Sequence, residues 1–300
     1  MLVINAVPIE DTFAEAFPMT AARLIVTAET ADWARTAAQV TTGYASSVIG
    51  CDAEAGVERI LAPDDTPDGR PGVSLLLFAF SRDALQKAVV NRVGQCVLTC
   101  PTTACYNGLP VVKEKRIRIG GNLRFFGDGF QISKKLESRR FWRLPVMDGE
   151  FTCEDFFGTI KGVAGGNFLI VGASQAEALA AAEAAVAAIH SVPGVILPFP
   201  GGVVRSGSKV GSKYKKLRAS TNDAYCPTLR GLVNSALPAG ANAVYEIVID
   251  GIDLASVENA TRVGVRAACR PGVLGITAGN YGGKLGPFHL HLHKLLAETG

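Results

Sequence analysis

Residues 167–189 read NFLIVGASQAEALAAAEAAVAAI, a short and largely apolar run followed by an alanine-rich segment. The run at 167–172 predicts a buried β-strand, because a brief continuous apolar stretch is typical of a strand covered on both faces. Ser174 predicts the start of a helix, since its hydroxyl can accept a hydrogen bond from the first free N–H groups of that helix. The helix face predicted to pack on the sheet contains Leu179, Val186 and Ile189.

The same order of a strand and then a helix recurs along the chain. In the first half, a continuous apolar strand at 73–80 leads to Ser81, which predicts the cap of a helix that reaches about residue 99. In the second half, the strand AVYEIVI at 243–249 leads to a helix at about 254–269. The other predicted elements are a strand at 23–28, a helix from about Thr30 with Trp33, Ala37 and Val40 on its inner face, a further strand at 48–51 and turns in PDDTPDGRPG at 63–72.

Short shared motifs also relate the two halves of the chain. Glu-Asp-x-Phe occurs at 10–13 and 154–157, ahead of the first predicted strand of each half, and Arg-Val-Gly occurs at 92–94 and 262–264. Together with the repeated element order, these motifs predict an α+β fold of two duplicated ferredoxin-like (split βαβ) lobes. The predicted domains are an N-terminal lobe with a joining segment at 1–150 and a C-terminal lobe at 151–300.

The composition excludes several classes of protein. Apolar residues make up 48% of the chain and charged residues 19%, which excludes a disordered protein. The formal net charge of +3 is too small to indicate a nucleic-acid partner. Residues 184–204 carry no Asp, Glu, Lys or Arg, but their prolines exclude a single membrane helix, and the N-terminus shows no secretory signal. The seven scattered cysteines favour reduced thiols and a cytoplasmic location.

The most basic segment, RSGSKVGSKYKKLR at 205–218, contains six Lys and Arg residues and no acid. Its glycines let backbone N–H groups approach a ligand, and its hydroxyl and ammonium groups add donors, which together suit a carboxylate or a phosphate. The spacing differs from that of a phosphate-binding P-loop. A solvated basic surface loop is the alternative interpretation. The candidate binding residues in this segment are Ser206, Ser208, Lys209, Ser212 and Lys213.

Glu246 is a carboxylate inside the apolar strand AVYEIVI. Strand alternation places Glu246 on one face with Val244 and Val248. Among apolar neighbours a carboxyl group tends toward a raised pKa and can serve as a general acid or base. A glutamate that faces solvent on an antiparallel sheet is the alternative.

Three further patterns have both a functional and a structural interpretation. His289, His291 and His293 alternate along a predicted strand and could bind zinc, but they lack a fourth ligand, so a polar strand face and no metal site are predicted. Cys96 and Cys100 are predicted to be buried thiols. The glycine-rich segments GVAGGN and AGNYGGKLG, at 162–167 and 278–286, predict tight turns or close approach of the backbone to a flat cofactor.

Ten motifs spread nearly end to end carry a family resemblance. They are IEDTFAEAF (9–17), TPDGRPGV (66–73), RVGQCV (92–97), FFGDG (125–129), GVAGGNF (162–168), PFPGG (198–202), SKVGSK (208–213), STNDAYCPT (220–228), YEIVI (245–249) and GGKLG (282–286). On these motifs the chain resembles the formylmethanofuran:tetrahydromethanopterin formyltransferases.

The resemblance implies a reaction and a set of site residues. It implies transfer of a formyl group between N5 of tetrahydromethanopterin and the primary amine of methanofuran, without a metal, on two ferredoxin-like lobes. The glutamate of the YEIV motif, here Glu246, is the implied catalytic residue. The substrate-binding residues expected from the matching segments and the basic loop are Ser206, Ser208, Lys209, Ser212, Lys213, Asn167, Asn222, Asp223 and Tyr225.

The resemblance also implies partners and a direction. The family forms homo-oligomers, so a dimer or tetramer is expected, with hydrolase-complex subunits as further partners. Archaeal members are often strongly acidic, whereas this chain carries a net charge of +3, which favours the bacterial version that runs toward formylmethanofuran and then formate. The alternative is a non-catalytic subunit that holds a furan-type cofactor or docks a hydrolase. A nucleotide-phosphate transferase is disfavoured because the P-loop spacing is missing.

Overall fold

The computed structural model of the chain describes residues 2–297. Its contacts divide the chain into two compact units. We call Met1–Pro18 with Val163–Gly300 the split unit, because two separate stretches of sequence form it, and Met19–Gly162 the continuous unit. Among residues 2–297, no helix combines the length and the apolar character needed to cross a bilayer.

Both strands and helices occur throughout residues 2–297. Those that begin before residue 160 are, in order, β1 (Leu2–Ile4), β2 (Val7–Ile9), β3 (Phe13–Thr27), α1 (Ala31–Thr42), β4 (Glu54–Leu61), β5 (Gly72–Ala79), α2 (Arg82–Arg92), β6 (Ala104–Asn107), β7 (Arg116–Arg118), α3 (Gly120–Leu123), β8 (Ile132–Leu136), β9 (Arg139–Val146), β10 (Gly149–Glu154) and β11 (Phe156–Gly158). The remainder are β12 (Ile160–Gly172), α4 (Gln175–Ile189), β13 (Val195–Ile196), β14 (Lys209–Val210), β15 (Ala219–Ser220), β16 (Ala243–Gly251), α5 (Leu254–Ala268), β17 (Val273–Thr277), β18 (Phe288–His291) and α6 (Leu292–Ala297).

The centre of the continuous unit is an antiparallel arrangement of strands in the order β4–β5–β3–β6. Leu24 of β3 lies opposite Leu75 of β5, and both side chains are fully buried. The helices α1 and α2 both contact β5, so the apolar run of that strand is covered. β10 then joins β6 in parallel, and β9 and β8 follow it in antiparallel order.

The split unit has the same strand order built from other residues. Its strands run β13–β16–β12–β17, and every one of these pairs is antiparallel. The helices α4 and α5 pack on each other and on β16. β2 lies parallel to β17, and β18 pairs with the first residues of β3. The apolar core of this unit includes Phe168, Ile170, Ile247 and Ile249.

Several local predictions from the sequence are confirmed. The apolar runs at 73–80, 167–172 and 243–249 coincide with β5, the end of β12 and β16. Ser81 and Ser174 cap α2 and α4, because their hydroxyls accept hydrogen bonds from the N–H groups of Ala84 and Glu177 at 3.1 and 3.2 Å.

Two strand predictions are wrong in position. The strand expected at 23–28 begins ten residues earlier, at Phe13, because β3 continues past Pro18 to pair with β18. Residues 48–51 form turns rather than a strand, and the strand of that region is β4, which begins at Glu54. Hydrophobic periodicity does not reveal the start of β3, since residues 13–22 mix small, acidic and apolar side chains.

The predicted inner faces of the helices are also partly wrong. Trp33 and Val40 of α1 are 43% and 55% exposed, while Ala34, Ala37 and Ala38 are buried. Leu179 of α4 is likewise exposed, and alanines occupy the buried face. Small side chains let a helix approach a sheet or another helix closely, so alanine rather than bulk marks the inner face here. The helix expected to reach residue 99 ends at Arg92 and continues as a single π turn, Val93–Val97.

Candidate active site

Glu246 lies near the middle of β16, directly opposite Leu169 of β12. On the other side of β16, the backbone of Val204 exchanges two hydrogen bonds with the backbone of Glu246, at 2.8 and 3.0 Å. The start of the basic loop is thereby fixed beside the strand that carries the carboxyl group. This contact joins two sequence motifs that lie about forty residues apart.

A small open cleft lies at this position. Three segments line it: β16 through Val244 and Glu246, the basic loop through residues 205–207, and a turn through Asn222, Tyr225 and Cys226. The predicted alternation of β16 is confirmed, since Val244 and Glu246 share the face that lines the cleft. A concave site with a few convergent polar groups on apolar walls is typical of a ligand-binding site.

Burial raises the pKa of the Glu246 carboxyl from 4.5 to about 7. The cause is desolvation. Burial in the wall of the cleft removes water from the carboxyl group, and this disfavours the charged carboxylate more than the neutral acid. Near neutral pH both protonation states are therefore populated. A group of this kind can take a proton from one reacting atom and return it to another.

The turn at 222–226 is tied to the basic loop by an ion pair. Lys209 of β14 donates a 2.6 Å hydrogen bond to Asp223, and the ammonium group lowers the pKa of that carboxyl. Both predicted residues therefore lie together, but their charges are paired with each other. Asn222 and Tyr225 flank Asp223 and reach the cleft, where burial raises the pKa of Tyr225.

The other predicted binding residues occupy different surroundings. Ser206 lines the cleft. The backbone carbonyl of Ser208 accepts a 3.0 Å hydrogen bond from the Tyr281 hydroxyl. The Ser212 hydroxyl accepts a hydrogen bond from the Tyr214 N–H, and Lys213 is exposed. Asn167 is 8% exposed, and its amide bonds to the backbone of Gly165 and Gly279, so it fixes the glycine-rich segments rather than lining the cleft.

The predicted histidine strand is shorter than expected. β18 ends at His291, and His293 lies in α6 with its Nε2 2.9 Å from the carbonyl oxygen of Ile9. His289 and His291 flank the ring of Phe13. Within residues 2–297, no group of three or more His, Cys, Asp or Glu side chains is arranged to hold a metal ion.

Two residues near the site were not predicted from the sequence. Glu15 of β3 is 2% exposed and accepts backbone hydrogen bonds from the loop 281–286. Tyr281, in that loop, is half-buried, and its pKa is raised by burial and by the nearby Glu246 carboxylate. For Glu15, the only local signal was an acidic residue between Ala14 and Ala16, in a segment where no strand was predicted. Its partners lie more than 260 residues away, so periodicity gives no sign of them.

Family models match almost the whole chain. The model described as formylmethanofuran–tetrahydromethanopterin formyltransferase matches residues 2–146, and the model of the proximal lobe of the same enzyme matches residues 149–295. A relative named formylmethanofuran–tetrahydromethanopterin formyltransferase, from Methylococcus capsulatus, is 58% identical over 99% of this chain and 100% of its own length. A relative from Methylorubrum extorquens, named as one of the subunits of a formyltransferase/hydrolase complex, is 52% identical over 98% of this chain and 97% of its own length.

Two solved structures agree with these matches. The formylmethanofuran:tetrahydromethanopterin formyltransferase of Methanosarcina barkeri superposes with a TM-score of 0.93 at 50% identity, covering 98% of this chain and 100% of that one. A chain of the formyltransferase/hydrolase complex of Methylorubrum extorquens, determined with methylofuran, gives 0.95 at 51% identity and covers 99% of both chains. The carboxyl-bearing cleft thus stands in an enzyme chain that belongs to the formylmethanofuran–tetrahydromethanopterin formyltransferase family.

Proposed function

We propose that this chain transfers a formyl group between N5 of tetrahydromethanopterin and the primary amine of methanofuran or methylofuran, with Glu246 as the proton-transfer group. Family membership supports the reaction, since the relatives are named for it. The observation that carries the residue assignment is the Glu246 carboxyl, which lies in a cleft with a pKa of about 7. No covalent enzyme intermediate is needed.

The chemistry exchanges one amine for another at a formyl carbon. The incoming amine attacks that carbon and forms a tetrahedral oxyanion, and the C–N bond to the outgoing amine then breaks. The incoming nitrogen must lose a proton and the outgoing nitrogen must gain one, and a carboxyl with a near-neutral pKa can do both in turn. Hydrogen-bond donors placed at the developing oxyanion lower the barrier further. Asn222, Tyr225 and residues 205–207 line the cleft, which supports them as candidate donors for the oxyanion.

The basic loop is proposed to bind the acidic tail of the furan substrate. Six basic residues lie within 205–218, and Lys213 is exposed. Ser206, Ser208 and Ser212 are placed on the same segment. Exposed charges attract a carboxylate tail but are screened by salt, so this contribution is expected to act on substrate binding.

The reaction and the role of Glu246 are tested with one substitution. Glu246→Gln keeps the size of the side chain but cannot accept a proton, so kcat is expected to fall about 100-fold or more. The KM values for both substrates are expected to change little. Glu183→Gln, an exposed glutamate on α4 of the same unit, is the matched control and should behave as the unmodified enzyme. Near-normal turnover of Glu246→Gln removes this residue from the mechanism.

The physiological direction is proposed to run from 5-formyl-tetrahydromethanopterin toward formylmethanofuran and then formate. Similarity to a member of a formyltransferase/hydrolase complex supports a hydrolase partner that consumes the product. A non-catalytic docking role is not favoured. Purified chain alone should move formyl between the two substrates, whereas a docking subunit would show no transfer until its partners are added.

The two lobes are proposed to be copies of one ferredoxin-like plan, divided near residue 150. The strand orders β4–β5–β3–β6 and β13–β16–β12–β17 support this, since each set follows the order strand, helix, two strands, helix, strand once the separate β14–β15 hairpin is set aside. In an experimentally determined structure, residues 19–107 should superpose on 163–277 with β5 on β16. A cytoplasmic location stays a prediction that rests on cysteine usage.

A further inference from the structure

A buried carboxylate that the proposed chemistry does not use lies close to the cleft. Glu15 accepts hydrogen bonds from the backbone N–H groups of Tyr281 and Gly283 at Oε1, both at 2.6 Å. Its Oε2 accepts from Leu285 at 2.6 Å and from Gly286 at 3.3 Å. Burial acts to raise the pKa of Glu15, but these four N–H groups outweigh it and lower the pKa. The carboxylate therefore stays charged and acts as an acceptor for one whole loop.

The sequence of the loop is adapted to this contact. Gly282 and Gly283 have φ values of 68° and 74°, a left-handed conformation that glycine adopts without strain and that turns successive N–H groups inward. At Gly286, an added Cβ would lie 2.2 Å from the carbonyl oxygen of Ala16, so only glycine fits. Asn280 anchors the other end of the loop by donating to the Thr12 hydroxyl at 2.9 Å.

One side chain connects this loop to the candidate active site. The Tyr281 hydroxyl donates a 3.0 Å hydrogen bond to the carbonyl oxygen of Ser208, next to the residues of the basic loop that line the cleft. The same hydroxyl feels the charges of Glu246 and Glu15, which together with burial raise the pKa of Tyr281. Glu15, the glycine loop, Tyr281 and the basic loop thus form a continuous chain of contacts that ends beside Glu246.

We propose that Glu15 is a positioning residue, whose carboxylate holds the loop 281–286 so that Tyr281 fixes the basic loop against the Glu246 cleft. This rests on the proposed function of Glu246. Glu15 itself touches no substrate. Its loss is expected to misplace the wall of the cleft, and small displacements of positioning groups reduce turnover strongly.

The first test is Glu15→Gln, which preserves length but replaces one acceptor oxygen by an NH₂ group. Two of the four backbone N–H groups then lose their acceptor. We expect amide hydrogen exchange in 281–286 to accelerate at least about tenfold and kcat to fall at least about tenfold, with smaller changes in KM. The matched control is Glu58→Gln, a second buried carboxylate, which accepts from Arg23 and Ser74 in the continuous unit. The control should lower the melting temperature but leave kcat and loop exchange unchanged.

The second test is Tyr281→Ala, which leaves Glu15 and the backbone of the loop in place. It is expected to lower kcat without faster exchange at 283–286, and it removes no buried charge, so folding should be preserved. The proposal is overturned by unchanged loop exchange in Glu15→Gln, by an equal loss of kcat in Glu58→Gln, or by full turnover of Tyr281→Ala. Hydrogen exchange measures how firmly Glu15 holds the loop 281–286 and needs no substrate. Turnover of Glu246→Gln tests the proposed function. The positioning proposal and the proposed function can therefore fail separately.

Discussion

The protonation state of the Glu246 carboxyl makes the folding stability of the chain depend on pH. Its pKa is about 7 in the folded chain and 4.5 in an unperturbed one, so the folded state binds this proton more tightly. The resulting stability is fully present below pH 4.5 and is lost as pH rises through 7. The loss is at most about 3 kcal/mol, and smaller because the cleft is open to solvent.

This coupling can be measured by comparing the native chain with Glu246→Gln between pH 5 and pH 8. The melting temperature of the native chain should fall relative to that of the variant as pH rises, since only the native chain must bury a charge. A difference that stays constant across the range would show that the carboxyl has an ordinary pKa.

The two lysines of SKVGSK are expected to act differently, because only Lys209 is paired with Asp223. Lys213→Ala should raise the KM for the furan substrate about 1.5- to 5-fold at low salt, with kcat unchanged and the effect smaller at higher salt. Lys209→Ala should lower kcat as well, since Asp223 holds the turn that carries Asn222 and Tyr225. Lys87→Ala, an exposed lysine on α2, is the control. An unchanged KM for Lys213→Ala at both salt concentrations would mean that Lys213 is a solvated surface residue that does not bind the furan substrate.

Residues differ in how far the sequence reveals their role. The raised pKa of Glu246 could be anticipated because its signal is local, a carboxylate in an apolar strand, whereas its catalytic role is implied by the family resemblance and stays a prediction. The role of Glu15 could not be predicted, because it depends on hydrogen bonds from four backbone N–H groups that lie more than 260 residues later in the chain. Substrate binding by Asn167 stays a prediction, whereas the hydrogen bonds of its amide to the backbone of Gly279 and Gly165 could not be predicted, since only the fold brings these residues together.

At the scale of elements, local chemistry sets the ends of the helices. At the start of α4, the Ser174 hydroxyl accepts a hydrogen bond from the Glu177 N–H, as an N-cap residue does, and donates one to the Glu177 carboxylate at 2.7 Å. Ser174→Ala is expected to lower the free energy of unfolding by about 1 kcal/mol, and Ser174→Thr should restore most of it. Denaturant titration measures both. Equal stability of all three proteins would mean that the cap contributes nothing.

The same contrast explains which elements could be predicted. Apolar runs and caps are properties of neighbouring residues, so β5, the end of β12, β16 and the helix starts follow from the sequence. The first residues of β3, Phe13 to Ala16, pair with β18, which lies more than 270 residues later, and no local pattern marks that pairing. On α1, Ala37 was placed correctly on the inner face, but Trp33 and Val40 were placed there because of their size, whereas Ala34 and Ala38 are the residues buried beside Ala37.

At the scale of the whole molecule, the family resemblance predicts a homo-oligomer. Phe125, Phe126 and Phe130 are 67%, 66% and 77% exposed in the single chain, and apolar side chains grouped at a surface are typical of a contact with another protein. Light scattering of the purified chain should give the mass of a dimer or tetramer. Phe126→Ser with Phe130→Ser should lower that mass, whereas Tyr44→Ser, an equally exposed site on the α1 side, should not. A monomeric native chain contradicts the expectation.

The split unit has a consequence for the order in which the protein is made. Residues 2–18 leave the ribosome long before the stretch with which they pack, which begins only at Val163. Glu15 must wait longer still, because its four N–H donors lie 266 to 271 residues further along the chain. A nascent chain can complete the continuous unit while Glu15 is still hydrated and unbonded. Closure of the 281–286 loop on Glu15 is thus a late step in biogenesis, and a prematurely terminated chain would retain every motif before it yet never assemble a finished cleft.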